Sequence, residues 1–440
     1  MSVSLSTKCV VLAITTLTSQ LFAGDVLTGL DVLRNQNFAP LKGKHIGLIT
    51  NQTGLSSDGQ RNVDLMLAAG IDVKTLFSPE HGLLGTEDQP NISDTVDART
   101  GLPVRSLHSG GQHRITPEMV KGIDTLVYDI QDVGARFYTY SCTMIYSIEE
   151  ASNLHLAFYV LDRPNPITGT HVEGPIIDPD QQSYVGCAAV PIRHGFTFGE
   201  LAQFVNGERH LGVDLHVIKM DGWKRDDWWD DTDLTWVDPS PNMNSLDAAM
   251  LYPGICLLEQ TKNFSVGRGT RVAYEQVGAD WLDARKLAAF LNDRRILGVR
   301  AYPTRMHPIY SHFKDQDING VRFIITDRNN FNSVRLGLEV IYGLQKLYPG
   351  KIDIDINHRL IGSTSTIAAL KKGEDPATIE SSYAGALKQF LATREKYLFI
   401  SVVANQFRSP KFKYLSNQSR FSCMIFRTIF DSLGEWPERG

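Results

Sequence analysis

The sequence predicts an α/β protein: a Rossmann-like domain with an open parallel sheet covered by helices on both faces, followed by a smaller α/β domain. Three observations predict it. Short apolar runs alternate with segments of helical period through the first half of the chain, as strands joined by crossover helices do. Polar clusters, and not further apolar residues, follow the ends of those runs. The chain has 440 residues, enough for more than one core.

The elements follow in order. KHIGLIT (44–50) is a first strand, GQRNVDLMLAAG (59–70) has helical spacing and a terminal glycine, and IDVKTLFS (71–78) is a second strand. TPEMVKG (116–122) starts as a capped helical turn, with Thr116 as N-cap and Pro117 at the first position. DTLVYDI (124–130) is a third strand, TYSCTMIYSIEEASN (139–153) a helix and HLAFYVLD (155–162) a fourth strand. A capping box, Thr197 to Glu200, opens a further helix, and DLHVIKM (214–220) is a strand. Residues 222–270, rich in Trp, Pro, Asn and Gly, read as loop. A second alternating region follows: DARKLAAFLND and SVRLGLEVIYGLQKLY as helices, GVRFIITD as a strand, and a last helix over 375–397. The domain boundary is expected near residue 270, giving 24–270 and 271–400.

Composition narrows the function. The hydrophobic share of 42%, the charged share of 21% and a net charge of −5 give no support for a nucleic-acid partner. Residues 1–23 read as a signal peptide, with Lys8 before an apolar run that ends in small residues; the mature chain is then periplasmic or secreted and not stably inserted in a membrane. Cys142, Cys187, Cys256 and Cys423 are far apart, which excludes a C-x-x-C zinc site and leaves a disulfide open. Neither G-x-G-x-x-G after the first strand nor G-x-x-x-x-G-K is present, so no nucleotide cofactor is expected. The acidic run in WKRDDWWDD lacks EF-hand spacing, and no metal is expected. Its tryptophans suit either sugar stacking or plain packing.

In open parallel sheets, ligands bind beyond the carboxyl ends of the strands. Four polar clusters fall there: NQTG with Asn51, SPEHG with Glu80 and His81, QDVGARFYTY with Asp132 and Arg136 beyond the strand residue Asp129, and DRPNPITG with Arg163 and Asn165. RHG (Arg193, His194), PSPNM (Asn242) and EQTKNFSVGRGT (Glu259, Arg268) add convergent polar groups. Each cluster has a structural alternative. Glu80 and His81 suit a surface turn, Arg136 an ion pair with Asp129 or Asp132, and Pro-Asn-Pro a rigid corner.

The ordered run of GLITNQTG, FSPEHGLLG, YDIQDVGARFYTY, LDRPNPITG, RHGFTFGELA, PSPNM and GRGT resembles the NamZ-type exo-β-N-acetylmuramidases, a glycoside hydrolase family that was formerly a domain of unknown function. The likeness runs from about Gly29 to about Tyr397. It implies a cleft between the two domains and release of N-acetylmuramic acid from the non-reducing end of peptidoglycan fragments, without a cofactor. It also implies that Glu80 is catalytic. We read Glu80 as general acid with His81 beside it, and the substrate's own 2-acetamido group, Asp129, Asp132, Glu87 or Glu173 as the second group. The lactyl carboxylate of the sugar calls for a cation, for which Arg136 is the first expectation and Arg268 and Arg193 the next. Asn51, Asp129, Asp132, Arg163, Asn165, His194, Asn242 and Glu259 complete the expected substrate-binding set. Family members often carry Glu-Gly-Thr where this chain has Glu259-Gln260-Thr261, and residues 401–440 match nothing expected after REKYLF. A non-catalytic peptidoglycan-binding protein is the alternative; a serine esterase or amidase is weaker, since no G-x-S-x-G is present.

Overall fold

The structure is a computed structural model that describes residues 26–400; the expected leader over 1–23 and the tail over 401–440 lie outside the described residues. The first half alternates as the apolar pattern predicts. In chain order the elements are α1 (Gly29–Asn35), β1 (His45–Thr50), α2 (Asn62–Ala68), β2 (Asp72–Ser78), β3 (Thr95–Val96), β4 (Pro103–Ser106), β5 (Thr125–Asp129), α3 (Tyr140–Asn153), β6 (Ala157–Leu161), β7 (Glu173–Ile176), β8 (Pro191–Arg193), α4 (Phe198–Glu208) and β9 (Leu215–Ile218). One sheet of seven strands has the order β3-β4-β2-β1-β5-β6-β9, parallel except for the edge pair β3 and β4. The chain winds outward from β1 through β2 to β4, then returns to β5 on the other side of β1. The reversal at β1 and β5 opens a crevice at the carboxyl ends of the central strands.

Strand alternation explains the layers. Ile46, Leu48, Val127, Tyr159 and Leu161 join one buried cluster with Leu30 and Leu33 of α1 and Val63 and Met66 of α2. Their neighbours Ile49, Leu126, Tyr128, Phe158 and Val160 face the other way and join the cluster of α3 and α4. Capping boxes start α1 (Thr28 with Asp31) and α4 (Thr197 with Glu200).

The second half holds α5 (Leu246–Ile255), β10 (Gln276–Ala279), α6 (Ala284–Asp293), β11 (Val299–Met306), β12 (Ile318–Ile325), α7 (Ser333–Leu347), α8 (His358–Ile361), α9 (Thr364–Lys371) and α10 (Pro376–Arg394). Its sheet is small and antiparallel, in the order β10-β12-β11. Both sheets belong to one compact unit.

Two expectations are corrected. The region 222–270 is not all loop, because α5 crosses it. Residues Ala248 to Ile255 are all buried, so the helix has no polar face to give a period, and Pro253 and Gly254 read as breakers. Gly254 is required: a Cβ there would meet the backbone oxygen of Ser333 at 1.8 Å, because α5 and α7 touch backbone to backbone. TPEMVKG forms turns and not a helix. Its bonds run three residues back, from Met119 N–H to Thr116 O and from Ile123 N–H to Val120 O, and Gly122 at φ +78° closes it before a second turn.

Candidate active site

Glu80 is displayed by the way β2 ends. The last four residues of β2 are buried. Pro79 follows, and then His81 (φ +71°) and Gly82 (φ +75°) both adopt left-handed backbone, which is uncommon for a side chain such as histidine. This turn leaves Glu80 half-buried. The His81 Nδ1 lies 2.6 Å from the carbonyl of Glu87; a carbonyl only accepts, so Nδ1 is the donor in this bond. Thr139 donates its hydroxyl to Glu80 Oε2 at 2.6 Å.

Glu80 and His81 line a cavity of about 160 Å³ whose walls come from both halves of the chain. Its apolar side is Phe137, Val185, Met243, Tyr252 and Leu360; its polar side includes Tyr138, Thr139, Ser240, Asn242, Asp88, Glu259 and Arg268. Arg268 ties the polar side together. Its Nη2 donates to Asp88 at 2.9 and 2.8 Å, and its Nη1 donates to Glu259 Oε1 at 2.5 Å. Glu259 also accepts from the Tyr274 hydroxyl at 3.0 Å and from the Cys256 thiol at 3.0 Å. Asn242 donates to Asp88 at 3.4 Å and accepts from the Tyr310 hydroxyl at 2.8 Å. Although Arg268 is partly buried, Tyr274, Glu259 and Asp88 outweigh the desolvation and hold its guanidinium firmly charged.

Of the expected site residues, Glu80, His81, Asn242, Glu259 and Arg268 meet at this cavity. The others do not line it. Asp129 is wholly buried at the end of β5, where it accepts from Arg163 Nε at 2.7 Å and Asn62 Nδ2 at 2.7 Å. Arg163 also donates to the Leu55 carbonyl at 2.9 Å. Asn51 accepts from the Thr53 N–H and hydroxyl, an Asx-type turn. Asn165 bridges the Ile167 N–H and the Phe196 carbonyl. Arg193 pairs with Glu173 at 2.6 Å and also donates to the Ile167 carbonyl. His194 Nδ1 accepts from the Phe196 N–H at 3.1 Å, and its Nε2 lies 3.9 Å from Asp132 Oδ2. Burial pushes Asp132 up to about 7 and His194 down to about 3, the latter with help from Arg394 and Arg136.

The expectation for Arg136 is corrected. Arg136 is 2% exposed, and its guanidinium donates to four carbonyls: Pro175 (2.9 Å), Val190 (3.1 Å), Leu360 (3.0 Å) and Ile361 (3.0 Å). It stands behind the cavity wall as a clamp between the β7–β8 region and α8. Burial pushes it down to about 9, and it has no free face for a substrate carboxylate. The ion pair with Asp129 or Asp132 weighed against that role is not formed either. Glu173, held by Arg193, is likewise withdrawn from catalysis. Trp223, Trp228 and Trp229 are buried and none lines the Glu80 cavity; Trp229 lines a separate cavity of about 110 Å³ together with Arg163. Among the described residues no group of three metal-ligating side chains comes together, and no helix is long and apolar enough to cross a membrane.

Sequence reasoning missed Asp88, Thr139, Tyr138, Ser240 and Tyr274. Thr139 and Tyr138 sit inside the YDIQDVGARFYTY stretch, where the acid and arginine drew the attention. Asp88 lies in an exposed loop eight residues after Glu80 and carries no local signal.

A glutamate at a strand end, an arginine-braced polar wall and an apolar wall thus meet in one small cavity on a Rossmann-like scaffold, an arrangement fit for acid–base chemistry on a bound molecule. Comparison with known proteins gives the family. The N-terminal model of the exo-β-N-acetylmuramidase NamZ matches residues 46–247 and the C-terminal model matches 250–399. The chain belongs to this family of glycoside hydrolases. It is 40% identical over 378 residues to the peptidoglycan β-N-acetylmuramidase NamZ of Bacillus subtilis (strain 168), covering 85% of this chain and 91% of that protein. Two crystal structures of DUF1343 family proteins from Bacteroides fragilis NCTC 9343 share the fold. One has a TM-score of 0.80 at 34% identity and covers 86% of this chain and 99% of that one; the other has 0.69 at 27%, covering 86% and 100%.

Proposed function

We propose that this enzyme removes N-acetylmuramic acid from the non-reducing end of peptidoglycan fragments, with Glu80 as general acid. One observation carries the assignment of the acid. Of the three carboxylates lining the cavity, Asp88 and Glu259 are both bound to Arg268, and only Glu80 has a neutral partner. Arg268 occupies Asp88 and Glu259; Glu80, bonded to the neutral Thr139 hydroxyl through Oε2, keeps its other oxygen to face the leaving group, which is where an acid catalyst must stand. The cavity is small beside the roughly 300–1,000 Å³ of ordinary ligand sites, which supports binding of one terminal sugar and hence an exo mode.

The other two carboxylates lining the cavity, Asp88 and Glu259, are both bound to Arg268, which favours attack by the substrate's own acetamido group. The Cys142–Cys187 disulfide supports an oxidising compartment, in keeping with the expected leader and a periplasmic or secreted enzyme.

The test is incubation with a MurNAc–GlcNAc disaccharide and product analysis for wild type and Glu80→Gln. Free N-acetylmuramic acid is expected from wild type, and the variant should fold and turn over roughly two to four orders of magnitude more slowly. Near-normal turnover by Glu80→Gln would remove Glu80 from the role, and no turnover by wild type would favour a binding protein instead.

A further inference from the structure

We propose that Thr139 is a positioning residue for Glu80 and that the Cys142–Cys187 disulfide holds it in place. The inference rests on the function proposed above. It begins at the entry to α3. Thr139 precedes the helix with backbone that is already helical (φ −64°, ψ −15°), and its side chain makes no capping bond. A side-chain cap needs extended backbone at that position, so the hydroxyl is not used by the helix, and it is given to Glu80 Oε2. What the molecule gains is an oriented carboxyl. A fixed donor on Oε2 leaves Oε1 as the oxygen that takes and gives the proton.

The disulfide fixes this donor. Cys142 lies in the first turn of α3, three residues beyond Thr139, and is joined to Cys187, 45 residues on, with 5.7 Å between the Cα atoms. The segment ending at Cys187 carries Val185, which lines the cavity, and Tyr184, whose hydroxyl lies 3.0 Å from Thr143 Oγ1. The Tyr184 ring stacks on His113 at 3.6 Å. The cross-link thus binds the two segments that flank Glu80, next to the groups that orient it and not at a remote corner of the fold.

The experiment compares Thr139→Val, Thr139→Ser and the Cys142→Ser/Cys187→Ser pair with wild type on a chromogenic muramic-acid glycoside, with circular dichroism and Tm as folding controls. Thr139→Val is expected to lower kcat about tenfold to a hundredfold, the scale of one hydrogen bond to a charged group, with KM little changed. A lost donor disfavours the charged carboxylate, so the alkaline limb of the pH profile should move to higher pH. Thr139→Ser should restore both. The double serine variant should show the same two changes at about threefold to tenfold. Should that variant fail to fold, Tyr184→Phe, which leaves the cross-link intact, tests the clamp with the same two readouts. A folded Thr139→Val with wild-type kcat and pH profile overturns the role of Thr139. Cysteine or Tyr184 variants that lose only Tm overturn the role of the clamp. A wild type that does not turn over the glycoside overturns the proposed function itself.

Discussion

At the ends of β5 and β6 stand Asp129, Asp132, Arg136, Arg163 and Asn165; all are buried and bonded to the protein's own groups, and of the five Arg163 lines a separate small cavity of about 110 Å³. At the end of β2, two strands from β5 across the same sheet, stand Glu80 and His81, half-buried and facing a cavity. Both stretches obey the same strand-end rule and use the same residue types. The difference lies in what covers them. The segment from Pro164 to His194 folds back over the β5 and β6 ends, and most of the polar groups there are engaged by it, as Arg136 is by the Pro175 and Val190 carbonyls and Gln131 by the Pro164 carbonyl, while Asp132 Oδ1 and His194 Nε2 stay buried without a hydrogen bond. Over the end of β2 the cover comes instead from Asn242, Glu259 and Arg268, which leave a space. The strand-end rule finds the edge of the sheet; the cover decides which part of the edge is a site.

The largest expected effect breaks the closed half. Arg136→Ala leaves four buried carbonyls without their donor and a side-chain-sized void. We expect a loss of folding stability of about 3–5 kcal/mol, seen by urea or thermal unfolding, with turnover per folded molecule close to wild type. A stable variant with altered preference between muramic-acid and glucosamine glycosides would instead place Arg136 in the site. The open half should answer in the opposite way. Arg268→Ala leaves Asp88 and Glu259 facing Glu80 in one cavity with no compensating cation. A tenfold to hundredfold loss in kcat/KM is expected, with a stability loss smaller than that of Arg136→Ala, since Arg268 is 26% exposed and water can reach the carboxylates it leaves. Equal losses of stability in both variants would erase the distinction.

The same contrast explains what was legible. Strands and helices of the first half are plain in the sequence because each has one apolar face or one buried run between turn signals. Glu80 is legible because nothing local gives it a structural partner in the sequence. Arg136 misled because its partners are carbonyls from Pro175, Val190, Leu360 and Ile361, some more than 200 residues away, and a carbonyl leaves no mark in an amino-acid code. Arg268 and Glu259 were legible as candidates nine residues apart. The second carboxylate that Arg268 binds, Asp88, 180 residues away, was not. Helix α5 was hidden by being buried on every side.

The smallest effect is a slope, and it concerns Asp132 and His194 in the closed half. Burial raises Asp132 to about 7 against the backbone N–H groups of Gly134 and Val133. The unfolded chain releases that proton near pH 3.9. Between about pH 4 and 7 the native state therefore binds more protons, and this group makes stability fall as pH rises. Asp162, raised to about 7 by burial, adds a slope of the same sign. His194 acts the other way: lowered to about 3, it is neutral in the native state while the unfolded chain keeps its proton up to about pH 6.5, so stability rises with pH between those values. Asp132→Asn deletes one of these contributions and leaves the other two. Relative to wild type, the variant should gain stability progressively from about pH 4 to 7 and hold that gain above pH 7. The amide's own N–H hydrogens need acceptors in a buried place and offset much of the gain, so the plateau is expected on the order of 1 kcal/mol. Turnover should change less than about threefold if Asp132 belongs to the scaffold, since 0.65 kcal/mol or so separates a threefold change from none. Unfolding curves from pH 5 to 8 check the slope; parallel curves for the two proteins would mean that Asp132 is ionised throughout, and a large loss of turnover would move it to the open half of the edge.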